Sequence, residues 1–119
     1  MAFCDLRVWQ QAMRLTLDIY RITAKFPKDE IYGLTQQMRR AAVSVPSDIA
    51  EGKGHKSDRE LSRFLFHARG SLLELQTQVM IAKELQYLPE TEANGTLELA
   101  SDVGRGLNAL LNSVRESAA

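Results

Sequence analysis

The stretch from Ser57 to Leu88 limits what this chain can fold into more than any other part of it. Leu61, Leu65, Ala68, Leu72, Leu75, Val79 and Ala82 recur at alternating spacings of three and four residues. That is the period of one face of an α-helix and not the alternation of a strand. Ser57-Asp58-Arg59-Glu60 precedes the stripe as a capping box, in which Ser57 can accept from the Glu60 amide while the Glu60 carboxylate reaches back. The spacing predicts a helix over about 57–87, roughly 40 Å long at 1.5 Å per residue. A helix of that length with one apolar face needs other elements of similar length to cover it.

Three further segments supply them. Residues 5–25 place Leu6, Trp9, Met13, Thr16, Tyr20 and Thr23 on one stripe, with Asp5 available as N-cap and Phe26-Pro27 as the stop. Residues 29–53 carry Ile31, Leu34, Met38, Ala41, Val45, Asp48 and Gly52, with Asp29 and Glu30 suited to the positive helix N-terminus and Gly52-Lys53-Gly54 ending it. Residues 90–116 repeat the pattern through Thr96, Ala100, Val103, Leu107, Leu110 and Val114, interrupted by Gly95, Gly104 and Gly106. Long helices with short connections pack as antiparallel neighbours, so the expected fold is all-α: one domain over 1–119, an up-down-up-down four-helix bundle. Composition agrees, since 45% hydrophobic and 25% charged residues describe a globular chain and exclude disorder or collagen. No apolar run suits a membrane span and the start of the chain lacks a leader pattern, so the expected location is cytoplasmic. The single Cys4 offers neither an internal disulfide nor a Cys-based zinc site.

Zero net charge conceals a split: residues 1–57 carry nine Lys/Arg against six Asp/Glu, and residues 89–119 carry two against five. Opposite charge at the two ends favours either antiparallel packing of the first and last segments or one basic and one acidic surface. The third helix has a second apolar line. At 100° per residue, Phe66, Leu73 and Met80 project away from the core stripe, and an apolar strip facing water marks an interaction surface. A homo-oligomer follows as the expectation.

Catalytic chemistry finds little support. Di-iron bundles need Glu-x-x-His units, and neither His55 nor His67 follows a Glu by three. Gly52-Lys53-Gly54-His55-Lys56-Ser57 lacks the spacing and the preceding strand of a phosphate loop. The predicted N-terminus of the third helix, with Lys53, Lys56 and Arg59 around it, could still attract an anion. No Ser, Cys and His form a recognisable nucleophilic set, so no catalytic residue, metal, cofactor or small-molecule substrate is expected.

The most distinctive segment is Val43-Ser44-Val45-Pro46-Ser47-Asp48-Ile49-Ala50-Glu51-Gly52. Pro46 must kink the helix or restart it, and the kinked continuous form is the expected one. Asp48 borders the seam and needs partners there, for which Ser71 and Arg69 are the candidates. Gly70 and Ser71, small residues in mid-helix, suggest the close approach of another helix. A metal- or ligand-binding bundle built on Asp48, Glu51 and Glu74 is the alternative to a scaffold.

These segments resemble a known family. Phe3-x-Asp5-Leu6-x-Val8-Trp9-Gln10, Phe26-Pro27-x-x-Glu30-x-Tyr32-Gly33-Leu34-Thr35-x-Gln37-Met38-Arg39-Arg40-Ala41-Ala42, Ser44-Val45-Pro46-Ser47-Asp48-Ile49-Ala50-Glu51-Gly52 and Ala68-Arg69-Gly70-Ser71-x-x-Glu74-Leu75 are similar to motifs of the 23S rRNA-intervening sequence proteins. The family commonly has Asn where this chain has Asp48. The resemblance implies a left-handed four-helix bundle that assembles into a ring, with homopentamers expected. It also implies kinship with the accessory variability determinants of diversity-generating retroelements, five-membered barrels that bind nucleic acid. The expected role is therefore a non-enzymatic oligomeric scaffold contacting RNA or a protein partner. Arg39, Arg40, Lys53, Lys56 and Arg59 are the candidate phosphate contacts. The family-motif polar cluster comprises Ser44, Pro46, Ser47, Asp48, Glu51, Gly52, Arg69, Gly70, Ser71 and Glu74.

Overall fold

The computed structural model describes residues 2–118, and the surroundings of side chains 2–115. Four α-helices make up the fold: α1 (Arg7–Thr23), α2 (Leu34–Gly54), α3 (Asp58–Glu84) and α4 (Glu90–Ala118). Helix α1 packs on α2, α2 on α3, α3 on α4 and α4 back on α1, while the diagonal pairs make no close backbone approach among the described residues. Consecutive antiparallel neighbours closing on themselves give the expected up-down-up-down bundle, 47 Å long and 24 by 20 Å across.

The start of the chain corrects the sequence reading. Phe3–Asp5 form a separate 3-10 turn, and α1 begins after Leu6 without a side-chain cap, so Asp5 does not serve as N-cap. The core face of α1 is also rotated from the expected stripe. Val8, Ala12, Leu15, Thr16, Ile19, Ile22 and Thr23 are buried, whereas Tyr20 is exposed and Leu6, Trp9 and Met13 sit at the edge. The apolar face of this helix is wider than the core it meets, and large amphipathic aromatics settle at rims where the ring is covered and its edge stays wet. Trp9 does this with Phe3, edge to face at 5.3 Å.

Helix α2 starts at Leu34, five residues later than expected, because Lys28–Glu30 form a second 3-10 turn. Ile31 is thereby left out of the core and exposed. Glu30 still serves the α2 terminus from outside it: Oε1 accepts from the Leu34 amide at 3.2 Å and Oε2 accepts from the Tyr87 hydroxyl at 2.7 Å. These bonds hold the Glu30 carboxyl below its ordinary range, the Tyr87 bond contributing most, and push the Tyr87 phenol up. The helix runs unbroken through the buried Pro46 and ends at Gly54.

At the start of α3, Ser57 Oγ accepts from the Glu60 amide at 3.3 Å. The reciprocal half of the box is missing, since Glu60 turns to Arg63 at 2.9 Å. The whole expected α3 stripe is buried. At its far end Gln86 adopts φ 62°, the Tyr87 amide donates to Ala82 and the Gln86 amide to Lys83, both at 3.0 Å. That pattern is a Schellman stop with a non-glycine in the left-handed position. On α4 the expected stripe holds except that Leu111, rather than Leu110, is the buried residue. Gly106 lets α4 lie close against α1, since a Cβ there would lie 2.7 Å from Val8. Arg21 on α1 pairs with Glu92 on α4 at 3.1 Å, and Thr96 donates to Asp18 at 2.6 Å, so the two ends of the chain do meet through polar contacts.

Candidate functional site on the α2–α3 seam

Helices α2 and α3 are joined by only His55, Lys56 and Ser57, which fixes them as close antiparallel partners. Gly52 lets them touch, because a Cβ there would meet Leu61 and Phe64 at 3.0 Å. Four residues along α2 separate Ser44 from Asp48, and four along α3 separate His67 from Ser71. Each spacing puts its pair on one helix face. Antiparallel packing then sets Ser44 beside Ser71 and Asp48 beside His67.

The resulting network is continuous. His67 Nδ1 donates to Asp48 Oδ2 at 2.5 Å, Ser44 Oγ donates to the same oxygen at 3.1 Å, and the two serine hydroxyls are 3.0 Å apart. With the Ser44 proton committed to the carboxylate, Ser71 is the donor between the serines. Asp48 is buried and His67 is largely exposed. The carboxylate therefore leaves water but keeps two donors, one of them capable of carrying the opposite charge.

This corrects the expected partners of Asp48. Ser71 reaches it only through Ser44, and Arg69 points to the other side of α3, donating to Asn108 on α4 at 3.3 Å and lying 5.0 Å over the Phe66 ring. His67 was missed, although the matched four-residue spacings would have paired it with Asp48 once Ser44 was set against Ser71. Gly70 also departs from expectation, since a Cβ there would meet nothing within 4 Å. No helix of the same chain approaches it.

Beside the network, Gln37, Arg40, Ala41 and Glu74 complete an open depression of about 400 Å³. Ser47, Glu51 and Glu74 are exposed. Among the described residues no three His, Cys, Asp or Glu side chains come together to hold a metal ion, so Asp48, Glu51 and Glu74 do not form the alternative metal site. The Asp48 carboxylate is already spent on Ser44 and His67. Nor is the arrangement a nucleophile with its base, because Ser44 and His67 Nδ1 converge on one carboxylate oxygen instead of on each other.

The five candidate phosphate contacts divide into two groups. Arg39 is half-buried and engaged with α1: Nε donates to Thr23 at 2.9 Å and the guanidinium lies 4.6 Å over the Tyr20 ring. Arg40 is exposed on the same stretch of α2. Lys53, Lys56 and Arg59 gather at the α2–α3 turn, roughly 20 Å further along the helix axis. Phe66, Leu73 and Met80 stand on the outer side of α3 with 37%, 58% and 53% of their surface exposed.

Fold and seam together define an all-α antiparallel four-helix-bundle protein with a polar lock between its second and third helices. More particularly, the chain belongs to the 23S rRNA-intervening sequence protein family, whose model matches residues 4–109. A solved structure similar to it is a protein of unknown function from the S23 ribosomal protein family of Bacteroides thetaiotaomicron VPI-5482. That structure is 12% identical, covers 88% of this chain and 95% of its own, and superposes with a TM-score of 0.82. At that identity the likeness is one of fold. No curated protein sequence matches significantly. No helix among the described residues is long and apolar enough to cross a membrane.

Proposed function

We propose that this chain is a non-enzymatic scaffold that assembles with copies of itself into a ring of five and presents cationic surface to RNA. The observation that carries the reading is the outer line of α3, where three large apolar side chains spaced seven residues apart face water in the single chain. Leaving such a strip uncovered is unfavourable, and a second subunit is the simplest cover. Family membership supports the ring. Lys53, Lys56 and Arg59, gathered at the amide-rich start of α3, supply the phosphate contacts.

Light scattering coupled to size exclusion tests the assembly: the expected mass is five times the chain's 13.4 kDa, and a monomer at every concentration would refute it. Anisotropy titration with single-stranded RNA tests the second half. Affinity should fall steeply with added salt and in a Lys53→Ala, Lys56→Ala, Arg59→Ala variant, and absence of binding at low salt would remove RNA from the reading.

A further inference from the structure

The outer line of α3 has a partner surface elsewhere on the same protein. Phe66, Gly70, Leu73, Thr77 and Met80 succeed one another at spacings of four, three, four and three, the seam pattern by which one helix lies in the groove of another. Gly70 sits within it, exposed and with open space where its Cβ would be. A glycine in mid-helix costs stability, and nothing inside this chain explains it. Close approach by a backbone or side chain from another molecule does.

On α1 and α2 there is a groove of about 670 Å³ lined by Tyr20, Ile31, Tyr32, Val43, Arg39 and Arg40 among others. Tyr32 is 87% exposed and Ile31 55%. Charges at the two surfaces match in one direction only. Arg69 and Arg115 stack on Phe66 at one end of the α3 line, and Glu84 stands beyond Met80 at the other. In the groove, Arg40 lies beside Val43 at the end away from Ile31. Laying Met80 toward Val43 sets Glu84 against Arg40, and the reverse brings Arg69 and Arg115 to it instead. Antiparallel pairing of two α3 helices about Leu73 instead brings Glu74 beside its own symmetry mate.

We infer that the α3 seam of one copy docks in the α1–α2 groove of the next, making a polar, head-to-tail contact between non-identical surfaces. This rests on the self-assembling reading above and assigns its surfaces. A heterologous contact closes into a ring when the rotation per subunit allows it, whereas a two-fold contact stops at a pair.

Two exposed-site variants test it, Leu73→Asp on the seam and Tyr32→Asp in the groove, each checked for native helix content. Light scattering should find each alone as a monomer. Mixed, they should form a one-to-one dimer and nothing larger, since one copy retains a working seam and the other a working groove. Variants that stay monomeric when mixed, or Tyr32→Asp that still assembles, would overturn the assignment while the wild type remains oligomeric. A monomeric wild type would overturn the scaffold reading itself. As an independent check, Gly70→Leu should leave the protomer folded but raise the concentration needed for assembly roughly tenfold or more. Unchanged assembly would count against close approach at Gly70.

Discussion

Leu72 and Leu73 are neighbours in sequence and identical in chemistry, yet the first is 2% exposed and the second 58%. Each belongs to a line of apolar residues with helical spacing, Leu61 to Ala82 inside the bundle and Phe66 to Met80 outside it. The difference between them is that the chain itself covers only the first. The inner line meets α2 and α4 of its own chain, while the outer line has only the Arg69 and Arg115 side chains over Phe66. Helical periodicity marks both lines as apolar and says nothing about which of them the chain covers itself.

The sharpest way to break this comparison is to truncate the two leucines in turn. Leu72→Ala should cost about 2–5 kcal/mol in denaturant unfolding, as removal of a core leucine does. Leu73→Ala, measured on the isolated protomer, should change stability by no more than about 0.5 kcal/mol. Equal effects would mean that the outer line is covered within the chain. Next in size is the seam between the faces, where Asp48→Ala removes the acceptor shared by Ser44 and His67. A loss of about 1–3 kcal/mol is expected by the same measurement.

Two substitutions should stabilise. Gln78 is buried on α3 with its side-chain oxygen unpaired among the described residues, so Gln78→Met should gain about 1 kcal/mol. Gln86→Gly relieves a left-handed backbone and should gain up to about 1 kcal/mol in thermal or urea unfolding. The smallest expected effect is on pH dependence. Because the folded Glu30 carboxyl is held below its ordinary value by Tyr87 and Leu34, its contribution is complete above the unfolded value near about pH 4.3. It fades as pH falls through the lower folded value. Urea midpoints followed below pH 5 should decline less in Glu30→Gln than in the wild type.

Sequence alone made the core stripe of α3 legible to the residue, because Leu61 to Ala82 keep an unbroken three-four spacing even though a second apolar line runs beside it. It misplaced the α1 face, because Leu6, Val8, Trp9, Ala12, Met13 and Leu15 support two overlapping helical stripes and ring size is a poor guide to depth. It placed Ile31 in the core because Lys28–Glu30 continue the helical spacing while folding as a tighter turn. The polar network was half legible. Asp48 announced a need for partners, but choosing His67 over Arg69 required the register of α3 against α2, which no single-helix pattern contains.

That register has a mechanical meaning for anything built from this subunit. The rungs Ser44–Ser71 and Asp48–His67 permit α3 to sit at one height along α2. A slip of one turn, about 5.4 Å, would take His67 away from a buried carboxylate and leave it Ser44 alone. If the α3 seam and the α1–α2 groove are the two hands by which copies hold one another, these rungs are the gauge block that keeps the hands at a constant offset. Every joint around the circle would then repeat the same angle.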